Sequence, residues 1–217
     1  MSSTRTFRRT AIALVAATVL PLSLAACSSE DTGNDSAPAA SDAPAGQQSA
    51  AAGDGAGADA DQPFGAACTG VPQDGAGSFD GMAKDPVATA ASHNPALSTL
   101  VAAVKQAGLV DTLNNAEDIT VFAPTNEAFA KIPRADLDKV LADKATLTKI
   151  LTYHVVGQEL TPGELRKGSF QTLQKGEVTT SGSGTSYRAN GTANVVCGNV
   201  RTANARVYLI DTVLMPK

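Results

Sequence analysis

The sequence predicts an α+β domain over residues 64–217, reached from the N-terminus through an export signal (1–26) and a tether beginning at Cys27 (27–63). Three observations carry this. Apolar residues recur at helical spacing through the first half of 64–217, β-branched runs bounded by turn residues fill the second half, and no Val, Ile, Leu, Met or aromatic residue occurs in 28–63. Helices first and strands later is the pattern of segregated α+β layers. A domain of 154 residues can bury roughly 70% of its unfolded surface in one core, so the 217-residue chain has no room for a large second catalytic domain.

Arg5, Arg8 and Arg9 precede the apolar run Ala11–Leu20, and small residues follow at Ala25 and Ala26. Basic, apolar and small regions in this order form a secretory signal. A membrane span, the competing reading, needs about 20 apolar residues, and Pro21 and Ser23 interrupt this stretch. Leu24-Ala25-Ala26-Cys27 resembles the lipobox of bacterial lipoproteins, which implies cleavage before Cys27 and diacylglycerol on its thiol; an ordinary secreted chain with a spare thiol is the alternative. Two acyl chains anchor stably where one is marginal. The expected location is the extracytoplasmic face of a bacterial membrane, lipid-anchored; release to the medium is compatible with the same sequence.

Residues 28–63 hold seven acidic residues and no base. Their Ala, Ser, Gly, Asp and Pro composition cannot offset the entropy of ordering, so a flexible tether of roughly 30–36 Å r.m.s. reach is expected. Two Gly-x-Gly runs within 53–60 follow no strand and are accidents of composition. Removing these seven acids and the three leading arginines from totals of 21 acidic and 17 basic residues leaves 14 of each in 64–217. A domain so balanced has no basic field for phosphates, and no nucleic-acid partner is expected.

If Cys27 carries lipid, Cys68 and Cys197 remain as one pair in an exported chain, where a disulfide is the expected use. Zinc is the competing use, but neither His lies near either cysteine in sequence. No metal or cofactor site is expected.

Within the domain, Leu97, Leu100, Val101 and Val104 form a helical stripe closed by Gly108 as a left-handed cap. Ile119–Ala123 is a strand ended by Pro124, after which Thr125 is a good N-cap and Glu127 suits a helix N-terminus. Leu137, Val140 and Leu141 mark a second helix after Pro133, and Leu147, Ile150 and Leu151 a third. Glu177–Thr180, Asn194–Cys197 and Arg206–Asp211 are strand-like, and Asn190-Gly191-Thr192, although a glycosylation sequon, reads as a turn.

Three of these stretches resemble signatures of the fasciclin domain family: Ile119–Phe129, Tyr153–Val156 and Val207–Pro216. The order and span of the matches and the Cys68/Cys197 pair are similar to those of the secreted or lipidated bacterial members. The resemblance implies a wedge-shaped β-sandwich with short helices packed along one edge, and a role in adhesion or extracellular interaction. It directs attention to Thr125, Asn126, Tyr153 and His154 as motif residues with a structural or binding role. The acidic integrin-binding tetrapeptides of animal fasciclin domains have no convincing match here.

Read from the residues alone, the motifs are mainly structural. Phe122 and Phe129 have the spacing to bury across one strand-to-helix corner, and Val207, Leu209 and Val213 alternate as a core-facing strand does. His154 ends a helix and enters a strand, where a buried imidazole needs a partner on each nitrogen, Asn126 or a backbone carbonyl being candidates. Catalysis is not expected. Only His93 and His154 supply imidazole, no Gly-x-Ser-x-Gly elbow occurs, and adjacency of Ser92 and His93 says nothing about geometry. A small hydrolase is therefore a minor alternative. A single 154-residue domain also lacks the two lobes of an importer's solute receptor. The reading is an adhesion or interaction module at the bacterial surface, whose partner is an extracellular or envelope protein or a polysaccharide; a structural envelope protein is the runner-up.

Overall fold

In the computed structural model the described residues are 62–216. The export signal, Cys27 and residues 27–61 of the expected tether lie outside them. Helices come first. α1 (Phe79–Met82) is capped by Ser78, whose hydroxyl accepts from the Gly81 amide at 3.1 Å. α2 (Val87–Ser92) buries Val87 and Ala90, and α3 (Ser98–Ala107) buries Leu100, Ala103, Val104 and Ala107. Gly108 ends α3 at φ 71°, a conformation open to glycine at little cost. α4 (Val110–Asn115) then leads to β1 (Ile119–Pro124), and Thr125 opens α5 (Asn126–Ala130).

Pro133 precedes α6 (Arg134–Ala142), and Asp143 caps α7 (Lys144–Tyr153) by accepting from the Ala145 and Thr146 amides at 3.0 and 3.3 Å. β2 (Val155–Val156), β3 (Lys167–Gln171), β4 (Glu177–Ser183), β5 (Ser186–Ala189), β6 (Ala193–Arg201) and β7 (Ala205–Ile210) complete the chain. Seven α-helices thus stand among the described residues where the apolar stripes alone predicted three.

The strands run β2-β1-β7-β6-β5-β4-β3, antiparallel throughout except for the parallel pair β1 and β7. β6 carries the chain from one layer to the other. Its Ala193 and Asn194 pair with β5 and its later residues with β7, with register shifts between Val195, Cys197 and Val200. Bulges of this kind bend a strand and let it serve two sheets. At the far ends, Val156 bridges Thr172 and the Leu173 amide donates to the Val155 carbonyl at 2.8 Å. The expected wedge-shaped sandwich is therefore one continuous, nearly closed ladder folded at β6, with helices against one side.

Strand alternation divides the apolar interior. Val121, Ala123, Val207 and Leu209 face the helices, meeting Leu100, Ala103, Val104, Leu147 and Leu151. Phe122, Tyr208 and Ile210 face the inside of the wedge with Val156, Leu160, Leu165, Val178, Tyr187 and Leu214. Each such large side chain contributes about 1.5–3 kcal/mol by burial. Phe122 and Phe129 are both buried, as their spacing across the corner predicts, but in different layers: Phe122 lies inside the wedge and Phe129 on the helix side. The reason is that β1 is covered on both faces, so spacing along the chain does not say which layer each ring joins.

Buried polar side chains are mostly paired, Thr180 Oγ1 being the exception among the described residues. The buried Arg206 guanidinium donates to Glu159 Oε1 through Nε at 2.9 Å and Nη2 at 2.6 Å, and through Nη1 to Asn199 Oδ1. Tyr208 donates its hydroxyl to the Leu160 carbonyl at 2.7 Å. Cys68 and Cys197 are joined, with Cα atoms 4.9 Å apart, and Phe64 pairs with Gly198 through both main-chain bonds. The segment entering the domain is thereby tied to β6.

Candidate functional site

Tyr153 and His154 sit at the junction of α7 and β2, where successive side chains leave on different sides. Tyr153 turns into the wedge; its hydroxyl donates to the Glu177 carbonyl at 2.7 Å and accepts from Asn190 Nδ2 at 3.0 Å. His154, 2% exposed, turns toward the helices. Its Nδ1 lies 2.8 Å from the Ile150 carbonyl, and its Nε2 accepts from the Leu214 amide at 2.9 Å. A carbonyl on one nitrogen and an N–H on the other select the neutral tautomer with the proton on Nδ1. Burial drives the imidazole down from 6.5 to about 4, outweighing the bond to Ile150 that favours the charged form. The His154 carbonyl also accepts from the Phe122 amide at 2.9 Å, so this residue joins α7, β1 and the C-terminal segment.

Asn126 does not reach His154. Its Oδ1 accepts from the Thr99 amide at 3.0 Å and the Ser98 hydroxyl at 3.2 Å, and its Nδ2 donates to the Pro95 carbonyl at 2.9 Å, fastening α3 to α5. Thr125 is buried and caps α5. Neighbouring Glu127 is exposed, and bonds from its own amide and from Thr125 hold its carboxyl below the usual range.

Around Thr125 and Glu127 opens a groove of about 440 Å³ whose lining includes Thr69, Asn94, Ala96 and Asp211. Partial burial pushes the Asp211 carboxyl up, but bonds from the Asn194 side chain and amide, from Thr212 and from Lys131 outweigh it and bring the group down to about 2. Two ionised carboxylates from separate signature stretches therefore share this groove with the disulfide-tied segment. The sequence marks Asp211 only as the end of the strand-like stretch Arg206–Asp211; its Asn194 partner is 17 positions away and carries no local signal.

The other candidates stay apart. Ser92 donates its hydroxyl to the Thr89 carbonyl at 2.6 Å, while His93 Nδ1 faces Asp85 Oδ2 at 3.4 Å. Asn190 and Gly191 both have positive φ in the β5–β6 turn, and the Asn190 amide is engaged by Thr179 and Tyr153. No cluster of three His, Cys, Asp or Glu placed to hold a metal occurs among the described residues.

The family model for the fasciclin domain matches residues 95–216, more than half of the chain. The chain belongs to the fasciclin domain family. The immunogenic protein MPB70 of Mycobacterium bovis is 52% identical over 147 residues, which cover 65% of this chain and 75% of that protein. The cell surface glycolipoprotein MPB83 of the same species is 52% identical over 147 residues, covering 65% of this chain and 66% of its own. Among solved structures, a FAS1 domain pair from the insect cell adhesion molecule Fasciclin I superposes with a TM-score of 0.52 at 21% identity, over 62% of this chain and 52% of that one. That likeness establishes the fold of this fasciclin domain.

Proposed function

We propose that this fasciclin-domain chain is an interaction module displayed at the bacterial surface, lipid-anchored through Cys27, which engages an extracellular or envelope protein or a polysaccharide. The observation that carries the reading is the 52% identity, over 147 residues, to a protein named a cell surface glycolipoprotein. That likeness supports a surface or extracellular location. The geometry agrees with a binding role without catalysis. Both nitrogens of His154 are engaged by the main chain, and Ser92 and His93 have separate partners, so neither imidazole is set beside a nucleophile. We assign the partner to the groove at Glu127 and Asp211, with Ala96 at its side, because residues of two signature stretches meet there.

Affinity capture with the immobilised chain, from cell-envelope and host-matrix extracts, tests this. A defined component is expected to be retained by the wild type and lost, by tenfold or more, from the double variant Ala96→Arg/Glu127→Arg. Retention of nothing from either extract would overturn the adhesion reading and favour a structural envelope role. For the anchor, the expressed protein should partition into detergent and Cys27→Ala should move it to the aqueous or secreted fraction. Mass spectrometry finding an unmodified mature terminus at any residue other than Cys27 would exclude the lipid.

A further inference from the structure

We propose that the cavity between the helical layer and β1 is a binding site for a single hydrocarbon chain bearing an anionic head. The cavity measures about 230 Å³. Val121, Ala123 and Val207 of the sheet form one wall, and Leu100, Val104 and Leu113 of the helices the other. His154 contributes to the lining, but its two nitrogens are spent on Ile150 and Leu214, so it offers the space no free polar atom. Thr180 Oγ1, the buried side-chain polar atom that lacks a partner among the described residues, is not part of the lining.

A water needs two to four polar partners, and an apolar cavity of about 150 Å³ stays dry and accepts benzene. That implies about 25 Å³ per carbon, so this cavity takes a chain of about nine carbons. The hydroxyls of Thr89, Ser92 and Thr152 in the lining are engaged by Asn114, the Thr89 carbonyl and the Thr148 carbonyl, so the walls are mostly apolar and forgo dispersion contacts that a hydrocarbon restores.

The rim indicates the rest of the ligand. Leu173, 41% exposed, belongs to the lining and is, with Met215, one of two large exposed apolar side chains among the described residues. Being both part of the lining and exposed, it carries the apolar wall out to the surface, the path that a chain passing from the interior to water would follow. Lys105 also lines the cavity, is exposed, and forms no ion pair among the described residues. An ammonium beside an apolar hole recognises a carboxylate or phosphate at the end of an acyl chain. A free fatty acid and a single-chain anionic lipid share this chemistry.

The full chain carrying Cys27→Ala, so that no attached acyl group competes, is titrated calorimetrically below micelle-forming concentrations. The ligands are straight-chain monocarboxylates of six to fourteen carbons and a lysophosphatidylglycerol with a ten-carbon chain. Affinity is expected to rise about fourfold per methylene up to nine or ten carbons and then level off. Lys105→Gln should weaken decanoate several-fold and leave decanol unchanged. Ala91→Phe, which places a ring in the lining, should reduce binding at least tenfold; should its circular dichroism depart from the wild type, Val101→Phe takes its place. Binding of decanoate identifies the free acid as a ligand and binding of the lysolipid alone identifies the lipid, provided either is lost on filling the cavity. No saturable binding at any length, or binding indifferent to a folded cavity-filling variant, would overturn the proposal.

Discussion

His154→Ala should lower the unfolding free energy by on the order of 2–4 kcal/mol, because it leaves the Ile150 carbonyl and the Leu214 amide without partners in a dry interior. The same imidazole makes stability depend on pH in a defined window. Its folded value, about 4, lies below the ordinary 6.5, so between these limits the unfolded chain binds a proton that the folded chain does not. The stabilisation is therefore complete above pH 6.5, falls as pH drops toward 4, and amounts to about 3 kcal/mol across the window. The Asp211 carboxyl, held near 2 against 3.8, loses its contribution only at lower pH and does not obscure the effect. Urea melts between pH 7 and 4.5 should show the decline in the wild type and a flatter profile in His154→Ala. Matching midpoints for the two proteins at pH 7 would identify His154 as a surface group.

Removing the disulfide has the other large effect. Cys68 and Cys197 are 129 positions apart, and closing a loop of that length in the unfolded chain is worth roughly 4–5 kcal/mol in the chain-entropy account, with measured values often lower. The double variant Cys68→Ala/Cys197→Ala is expected to melt well below the wild type yet fold to the same circular dichroism. The Phe64–Gly198 main-chain pair still holds the entering segment, and both apolar interiors are built without the sulfurs' covalent link. Loss of all cooperative unfolding in that variant would show that the bridge, and not the core, makes the domain fold.

What could be read from the sequence followed how strongly each segment carries its own pattern. The Ile119–Pro124 strand, the Thr125 cap and the helix closed by Gly108 combine local propensity with a breaker, and each stands where its residues indicate. α2 was missed because Val-Ala-Thr-Ala-Ala-Ser buries a face built largely of alanine, too weak to stand out as a stripe. β3 and β5 were missed because Lys-Gly-Ser-Phe-Gln and Ser-Tyr-Arg-Ala present single large apolar residues and become strands through pairing with β4.

The site shows the same division. A backbone carbonyl was a foreseeable partner for His154, and Ile150 supplies it from one turn earlier. The Leu214 amide, 60 positions on, carries no side-chain signature. The apolar cavity was illegible for a related reason, since the residues lining it have the ordinary spacing of core positions and only the packing leaves space between them.

The central claim, that the Tyr-His motif clamps the fold and the binding surface lies elsewhere, is tested most directly by nitrogen-15 NMR of the His154 ring from pH 7 to 4.5. The contacts with Ile150 and Leu214 predict a neutral ring protonated on Nδ1, with its titration displaced by burial well below 6.5, toward about 4. A midpoint near 6.5, with both nitrogens exchanging freely with water, would contradict the account and return His154 to the surface as a contact residue.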